Sequence, residues 1–198
     1  MGIWLIVLLG LIVLVAIAAV VSYNRFISQK TLIKDAWANI DTELRRRYDL
    51  IPNLVETVKG YAAHEREVLE NVTRARAMAA SATGSPAEQA AAEGPLVAAL
   101  RQLFAVVENY PDLKANQNFL QLQNELTDTE DKIQAARRFY NMTVRDLNIK
   151  VDQFPSRFFA GLAGVSKRPF FELDEPSERE VPAVSFGASG GPAPTAPA

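Results

Sequence analysis

His64 and Glu65 are the adjacent pair in this sequence that could begin metal or general-base chemistry, and His64 is the single histidine. A zinc hydrolase site on a helix needs a second histidine one turn later to share the metal. Val68 occupies that position, so His64 reads as a helix-surface or interhelical hydrogen-bonding group. Its isolation also gives no support to a Ser-His-Asp relay, whose members are set by geometry rather than by spacing. Cysteine is absent, which removes thiol nucleophiles, thiolate ligands, disulfides and lipoprotein attachment. Glu125, Asp128, Glu130 and Asp131 gather four carboxylates, but di-metal bundles pair such acids with Glu-x-x-His motifs on facing helices. Without those histidines the acids read as a solvated face. No Gly-rich phosphate loop follows a strand, and no strand is evident. The expectation is no catalytic residue, no metal, no cofactor and no small-molecule substrate.

Two further groups carry polar chemistry of another kind. Arg45-Arg46-Arg47 resembles a headgroup or nucleic-acid patch, yet successive helix residues point about 100° apart and cannot share one face. They also lie roughly 30 Å along a helix from the apolar N-terminus, several times the Debye length of about 8 Å. Salt links to Asp41, Asp49 or the acids of a later helix are the better reading. The net charge of −2 and the lack of a basic domain exclude nucleic acid as a partner. Among the asparagines (Asn53, Asn116, Asn118, Asn124, Asn141, Asn148), Asn124 and Asn141 fall near an apolar stripe, where a hydrogen-bonded amide fixes the register between helices. Asn109-Tyr110-Pro111-Asp112 has the composition of a turn.

The elements that position these residues begin with an apolar run. Ile3 to Val21 contains no charge and approaches the roughly 30 Å needed to cross a hydrocarbon core as a helix. A lone segment cannot form a barrel, so a helix is required. No Lys or Arg precedes it, and it exceeds the about 7–15 apolar residues of a signal peptide, although Ala16-Ile17-Ala18 has the form of a cleavage site. Met1-Gly2 begins a myristoylation signal, but Ile6 stands where Ser or Thr is needed. Arg25, Lys30 and Lys34 follow the run, which predicts an outside N-terminus and a cytoplasmic body, and Trp4 and Tyr23 sit where aromatic rings anchor at headgroup level.

Beyond Arg25 apolar residues repeat at spacings of three and four, through Ile33, Trp37, Ile40, Leu44, Tyr48, Ile51, Val55, Val58, Ala62, Leu69 and Val72. This predicts one helix to about Ala80–Ser85, with a kink or break near Leu50–Pro52 because proline removes a backbone bond. A second helix is expected from Pro86 or Pro95 to about Glu108, with Gly94-Pro95 arguing for a bend. A third is expected from Leu113 to Lys150. A shorter fourth should start at Pro155 with Phe158, Phe159 and Leu162, the Phe158-Phe159 pair serving as an oligomer contact or capping the bundle. Short turns make the long helices antiparallel. The fold class is all-α. The expected parts are a transmembrane anchor over 1–23, a helical domain over 24–166, and an acidic, then Gly/Pro/Ala-rich tail over 167–198 without a core of its own.

Trp37–Glu65 and Glu108–Asn148 resemble the two signature stretches of the LemA family, and Phe170-Phe171-Glu172 after a Gly-rich bend is similar to the family's end. The resemblance covers residues 23–173; the alanine-rich Ala75–Ala92 segment and the Gly/Pro/Ala tail depart from the pattern. It implies a bacterial single-pass inner-membrane protein with a long-helix bundle and no established enzymatic activity. Some members are associated with membrane remodelling and others occur beside membrane zinc metalloproteases. Three functions are then open, of which a hydrolase or ligand-binding enzyme is disfavoured by the single histidine and the absent cysteine. The first is a non-enzymatic scaffold anchored through residues 3–21, with helices longer than one bundle can bury that associate into a homo-oligomer. The second is an adaptor for a membrane protein complex such as a metalloprotease, recognised through the acidic tail. The residues expected to carry structure and interaction are Trp37, Tyr48, Pro52, Asn53, Tyr110, Pro111, Asn124, Tyr140, Phe158 and Phe159.

Overall fold

In the computed structural model, which describes residues 2–172, the apolar run and the first body helix are one element. Helix α1 spans Gly2–Lys59 without interruption. At 1.5 Å per residue it is about 87 Å long. Its first half has a hydropathy and length sufficient to cross a membrane, and Ile3 to Ile17 are bare of packing. From Phe26 onward Ile33, Ala36, Ile40, Leu44, Ile51, Leu54 and Val58 are buried, so one helix changes from all-round apolar to a single apolar stripe.

Pro52 does not break α1. A proline at this position leaves the carbonyl of Tyr48, four residues back, without its helical donor. Arg76, on α2 (Arg66–Ser81), donates to that carbonyl at 2.8 Å and satisfies it from the neighbouring helix. Removal of this donor by Arg76→Met is expected to lower the unfolding free energy by about 1–3 kcal/mol, the cost of an orphaned part-buried carbonyl. In a Pro52→Ala background the backbone donor returns, and the same change should cost clearly less. Equal costs in urea titrations of the two backgrounds would refute the coupling.

The turn that sequence placed at 80–85 is preceded by one it did not foresee. The chain leaves α1 after Lys59, and Tyr61 and Ala62 donate back to the Val58 carbonyl at 3.0 and 2.8 Å. Ala62 is buried there, and α2 runs back alongside α1. The expected single rod over residues 25–82 is therefore folded in two, and an argument for self-association from its excess length falls away. The periodicity survived the turn because Ala62, Leu69 and Val72 still face the core.

α3 (Pro86–Val107) starts on a capping box: the Glu88 amide donates to Ser85 Oγ at 3.3 Å and the Ser85 amide to the Glu88 carboxylate at 2.6 Å. It stays one helix through Gly94-Pro95. Although α3 is apolar and long enough to span a bilayer, Leu96, Leu100 and Leu103 are buried in the bundle. A single turn, α4 (Pro111–Lys114), leads to α5 (Gln117–Asp152), whose N-cap Asn116 accepts from the Phe119 amide at 3.1 Å. α5 packs along α1, and the short α6 (Ser156–Leu162) packs against both, with Pro155 at its N-cap rather than its first turn. Among the described residues there is no strand, and the all-α antiparallel long-helix bundle is the observed class.

The chain past α6 is not without packing as far as Glu172. Phe171 is buried in the core although it lies past residue 166, where the tail was expected to begin, and Val165 is buried just before that point. Asn148 holds Arg168 by both backbone atoms at 2.9 and 3.0 Å, and Asn141 holds Phe171 in the same way at 2.9 and 3.0 Å. These asparagines stand two helical turns apart on α5 and act as rungs for an extended strap. The acidic segment from Asp174 onward lies outside the described residues.

Candidate functional site

Two side-chain groups inside the bundle concentrate the polar and aromatic residues. The first is built around Arg47. It is 3% exposed, and its guanidinium pairs with Glu93 of α3, itself 1% exposed, and with Glu130 of α5 at 2.7 Å. Tyr48 donates its hydroxyl to the other Glu93 oxygen, and Gln89 donates to Tyr48, to Glu93 and to the Ala79 carbonyl at 3.0, 3.0 and 3.2 Å. A charge removed from water must be paired and hydrogen-bonded to be tolerated, and this group ties α1, α2, α3 and α5 at one level. Chemically it is a closed ion pair with no room for a substrate.

The second group is a clamp of aromatics. Trp37 lies 5.6 Å from the Tyr140 ring and 5.5 Å edge-on from Phe171, and the Arg137 guanidinium sits 5.5 Å above Phe171. Tyr140 also donates to the Pro169 carbonyl at 3.2 Å. Beside the clamp opens a groove of about 590 Å³ whose lining includes Lys30, Lys34, Trp37, Tyr140, Arg168 and Pro169. Among the described residues no carboxylate or histidine lines it, and its titratable side chains are Lys30, Lys34, Tyr140 and Arg168.

Burial, reinforced by the hydrogen bond to Glu93, raises the Tyr48 phenol well above its ordinary 10.0. Burial raises Tyr140, and the Tyr110 hydrogen bond to Glu65 at 3.0 Å raises Tyr110. A folded-state pKa above the unfolded value contributes stability that is complete below about pH 10. That stability is lost as pH climbs from there toward the raised values, because the unfolded chain releases its protons first. Urea midpoints should therefore fall between pH 10 and 11, and tyrosinate absorbance from Tyr48 and Tyr140 should appear with unfolding. A flat midpoint across that range in wild type, with full tyrosinate absorbance from the folded chain, would contradict this.

Of the ten residues singled out from sequence, Trp37, Tyr48 and Tyr140 meet in these groups. Tyr110 reaches Glu65 across the far end of the bundle, where Asn116 also donates to the Tyr61 hydroxyl at 2.9 Å, and Pro111 opens α4. Pro52 and Asn53 are exposed on α1, and the Asn53 carbonyl accepts from Thr57 at 2.8 Å. Asn124 is exposed, a correction: its position is shifted off the stripe formed by Leu126, Thr129 and Ile133. Phe159 packs half-buried on the core, whereas Phe158 is 69% exposed. Arg45 pairs with Asp41 at 3.0 Å as expected for a surface link. Glu130 departs from the solvated acidic face by turning to Arg47. His64 is exposed.

Sequence reasoning missed Glu93 and Gln89, and it names Phe171 only within the Phe170-Phe171-Glu172 resemblance. Glu93 and Gln89 sit in an alanine-rich helix at a spacing of four, which places both on one face among small residues. That is the available signal for a buried carboxylate.

An all-helical bundle carried on an apolar helix defines a class, and the comparisons give the family. The LemA family model matches residues 36–186, and the chain belongs to the LemA family. The match runs through the alanine-rich segment and stops just before the Gly/Pro/Ala-rich end. Similar relatives are magnetosome protein MamQ 2 of Paramagnetospirillum magneticum, 25% identical over 76% of this chain and 64% of the relative, and magnetosome protein MamQ of Magnetospirillum gryphiswaldense, 25% identical over 75% and 64%. Protein LemA of Metamycoplasma hominis is 30% identical over 66% of this chain and 60% of its own length. The chain thus spans under two thirds of each of these relatives.

Proposed function

We propose that this chain is a non-enzymatic scaffold, anchored in the bacterial inner membrane by the first part of α1, with its N-terminus outside and its bundle in the cytoplasm, and that it self-associates there to organise or remodel the bilayer. Support for the anchor comes from α1: a bare apolar helix continues without a joint into the bundle, so the body is held rigidly to the span. Two observations favour the non-enzymatic reading: the Arg47 group is closed by its own ion pairs, and among the described residues the groove brings no carboxylate or histidine to its cations.

The observation that carries self-association is a set of exposed apolar side chains on the outer side of α5, set among Arg138, Arg145 and Asp146. Phe139, Met142 and Ile149 are 40%, 47% and 44% exposed, on the side of α5 away from the buried Tyr140, Val144 and Leu147. Three large apolar side chains along one outer stripe suit a second copy, whose concentration at the membrane is raised by anchoring. Met142→Asp places a charge in that stripe without touching the core. It should reduce the detergent-extracted assembly to monomers while leaving helicity and the urea midpoint within error. An assembly of unchanged mass would reject this face as the contact.

A further inference from the structure

We infer that α6 is a membrane foot: the exposed aromatics Phe154 and Phe158 lie in the headgroup–acyl boundary of the same bilayer that α1 crosses. The inference rests on the anchor proposed above and adds a lipid contact made by the bundle itself.

Register places the foot. Trp37 stacks on Tyr140, and Gln29 donates to the Thr143 carbonyl at 3.2 Å, so α5 descends along α1 toward the apolar run. Antiparallel helices rise equally per residue, so Asp152, the last residue of α5, falls level with residues about 20–25 of α1. That is where the apolar run ends at Val21 and Tyr23 begins the aqueous side. The chain between α5 and α6, and α6 itself, must therefore lie at the bilayer surface.

Burial on α1 agrees independently. Residues 3–17 are bare, but Ala18, Ala19 and Ser22 are half-covered and Phe26 is 2% exposed. These four lie on one face, level with the end of α5, and α6 as well as α5 packs against α1. The last turn of the apolar run is thus already in contact with the body.

The exposed side of this region has the composition an interface selects. Phe154 and Phe158 are 80% and 69% exposed and stack edge-on at 5.7 Å against each other rather than the core. Phe159, on the inner side, is the ring that packs. Arg157, next to Phe158 in sequence, and Arg25, four residues past Val21, are exposed and suit anionic headgroups, while Lys167 pairs with Asp152 at 2.7 Å. Aromatic rings beside cations favour the boundary between headgroups and acyl chains. A second copy would also cover aromatics. The level of the pair at the end of the apolar run selects lipid.

Because the chain has no cysteine, single cysteines can carry a spin label in the full-length protein. Leu11→Cys, Phe154→Cys, Phe158→Cys and Met78→Cys would each be labelled in vesicles of phosphatidylcholine and phosphatidylglycerol. Oxygen and a water-soluble nickel chelate then report depth. The expected result is a label deep in hydrocarbon at position 11, shallow insertion at 154 and 158, and full chelate access at 78. Aqueous labels at 154 and 158 with a deep label at 11 would overturn the foot and leave the anchor standing. An aqueous label at 11 would overturn both. Spin–spin broadening at 158 that disappears on dilution with unlabelled protein would assign the pair to a second copy and reject the lipid contact.

Discussion

Replacement of Arg47 by Met should lower the unfolding free energy by about 3–5 kcal/mol, because it leaves Glu93 buried without its cation. Glu93 is 1% exposed and retains only the Tyr48 hydroxyl and the Gln89 amide as partners, neither of which carries charge. Glu130 is half-buried and can turn to water, so it adds little to the loss. The cost should be mostly recovered in Arg47→Met with Glu93→Met, since two apolar side chains of similar volume replace the pair. A double-mutant cycle by urea unfolding measures this directly. If Arg47→Met alone cost less than about 1 kcal/mol, the pair would not be the closed charge described.

Two charges in the apolar run should have an equally large effect on location. Leu11→Arg with Leu14→Arg adds about 5–7 kcal/mol to membrane insertion at the centre of a span. The doubly substituted protein should leave the carbonate-washed membrane fraction, yet keep the near-ultraviolet signal of Trp37 packed on Tyr140. Residues 3–17 make no core contact, so nothing in the bundle depends on them. Retention in the membrane would contradict a span. Removal of the run by cleavage at Ala16–Ala18 would be equally contrary, and the intact mass of the membrane-bound wild type decides it.

The helices were legible because burial imposes a period that composition cannot hide. Ile33, Ile40, Leu44 and Ile51 on α1, and Phe119, Leu126, Ile133, Tyr140 and Leu147 on α5, mark their inner faces by spacing alone. Interruptions were read less well. Pro52 predicts a kink or break, and the helix continues because a distant side chain, Arg76, satisfies the carbonyl it leaves free, a partner no local rule contains. The apolar spacing continues across Gly60 and hides the turn there. Phe171 follows glycines and prolines and precedes a run of acids, so composition assigns it to a tail, and what holds it is distant: Trp37, Arg137 and the Asn141 amide. Glu93 was hidden among alanines for the opposite reason: its burial depends on Arg47 and Tyr48, which lie more than forty residues away. Trp37, Tyr48 and Tyr140 were found because an aromatic on an apolar stripe must pack, whatever its partner.

The most direct test is the mass and image of the full-length wild-type protein reconstituted in phosphatidylcholine and phosphatidylglycerol bilayers. A self-associating scaffold requires particles of several copies in discs and a visible change in the shape of vesicles at high protein density. One copy per disc at every loading, on vesicles of unaltered curvature, would contradict it.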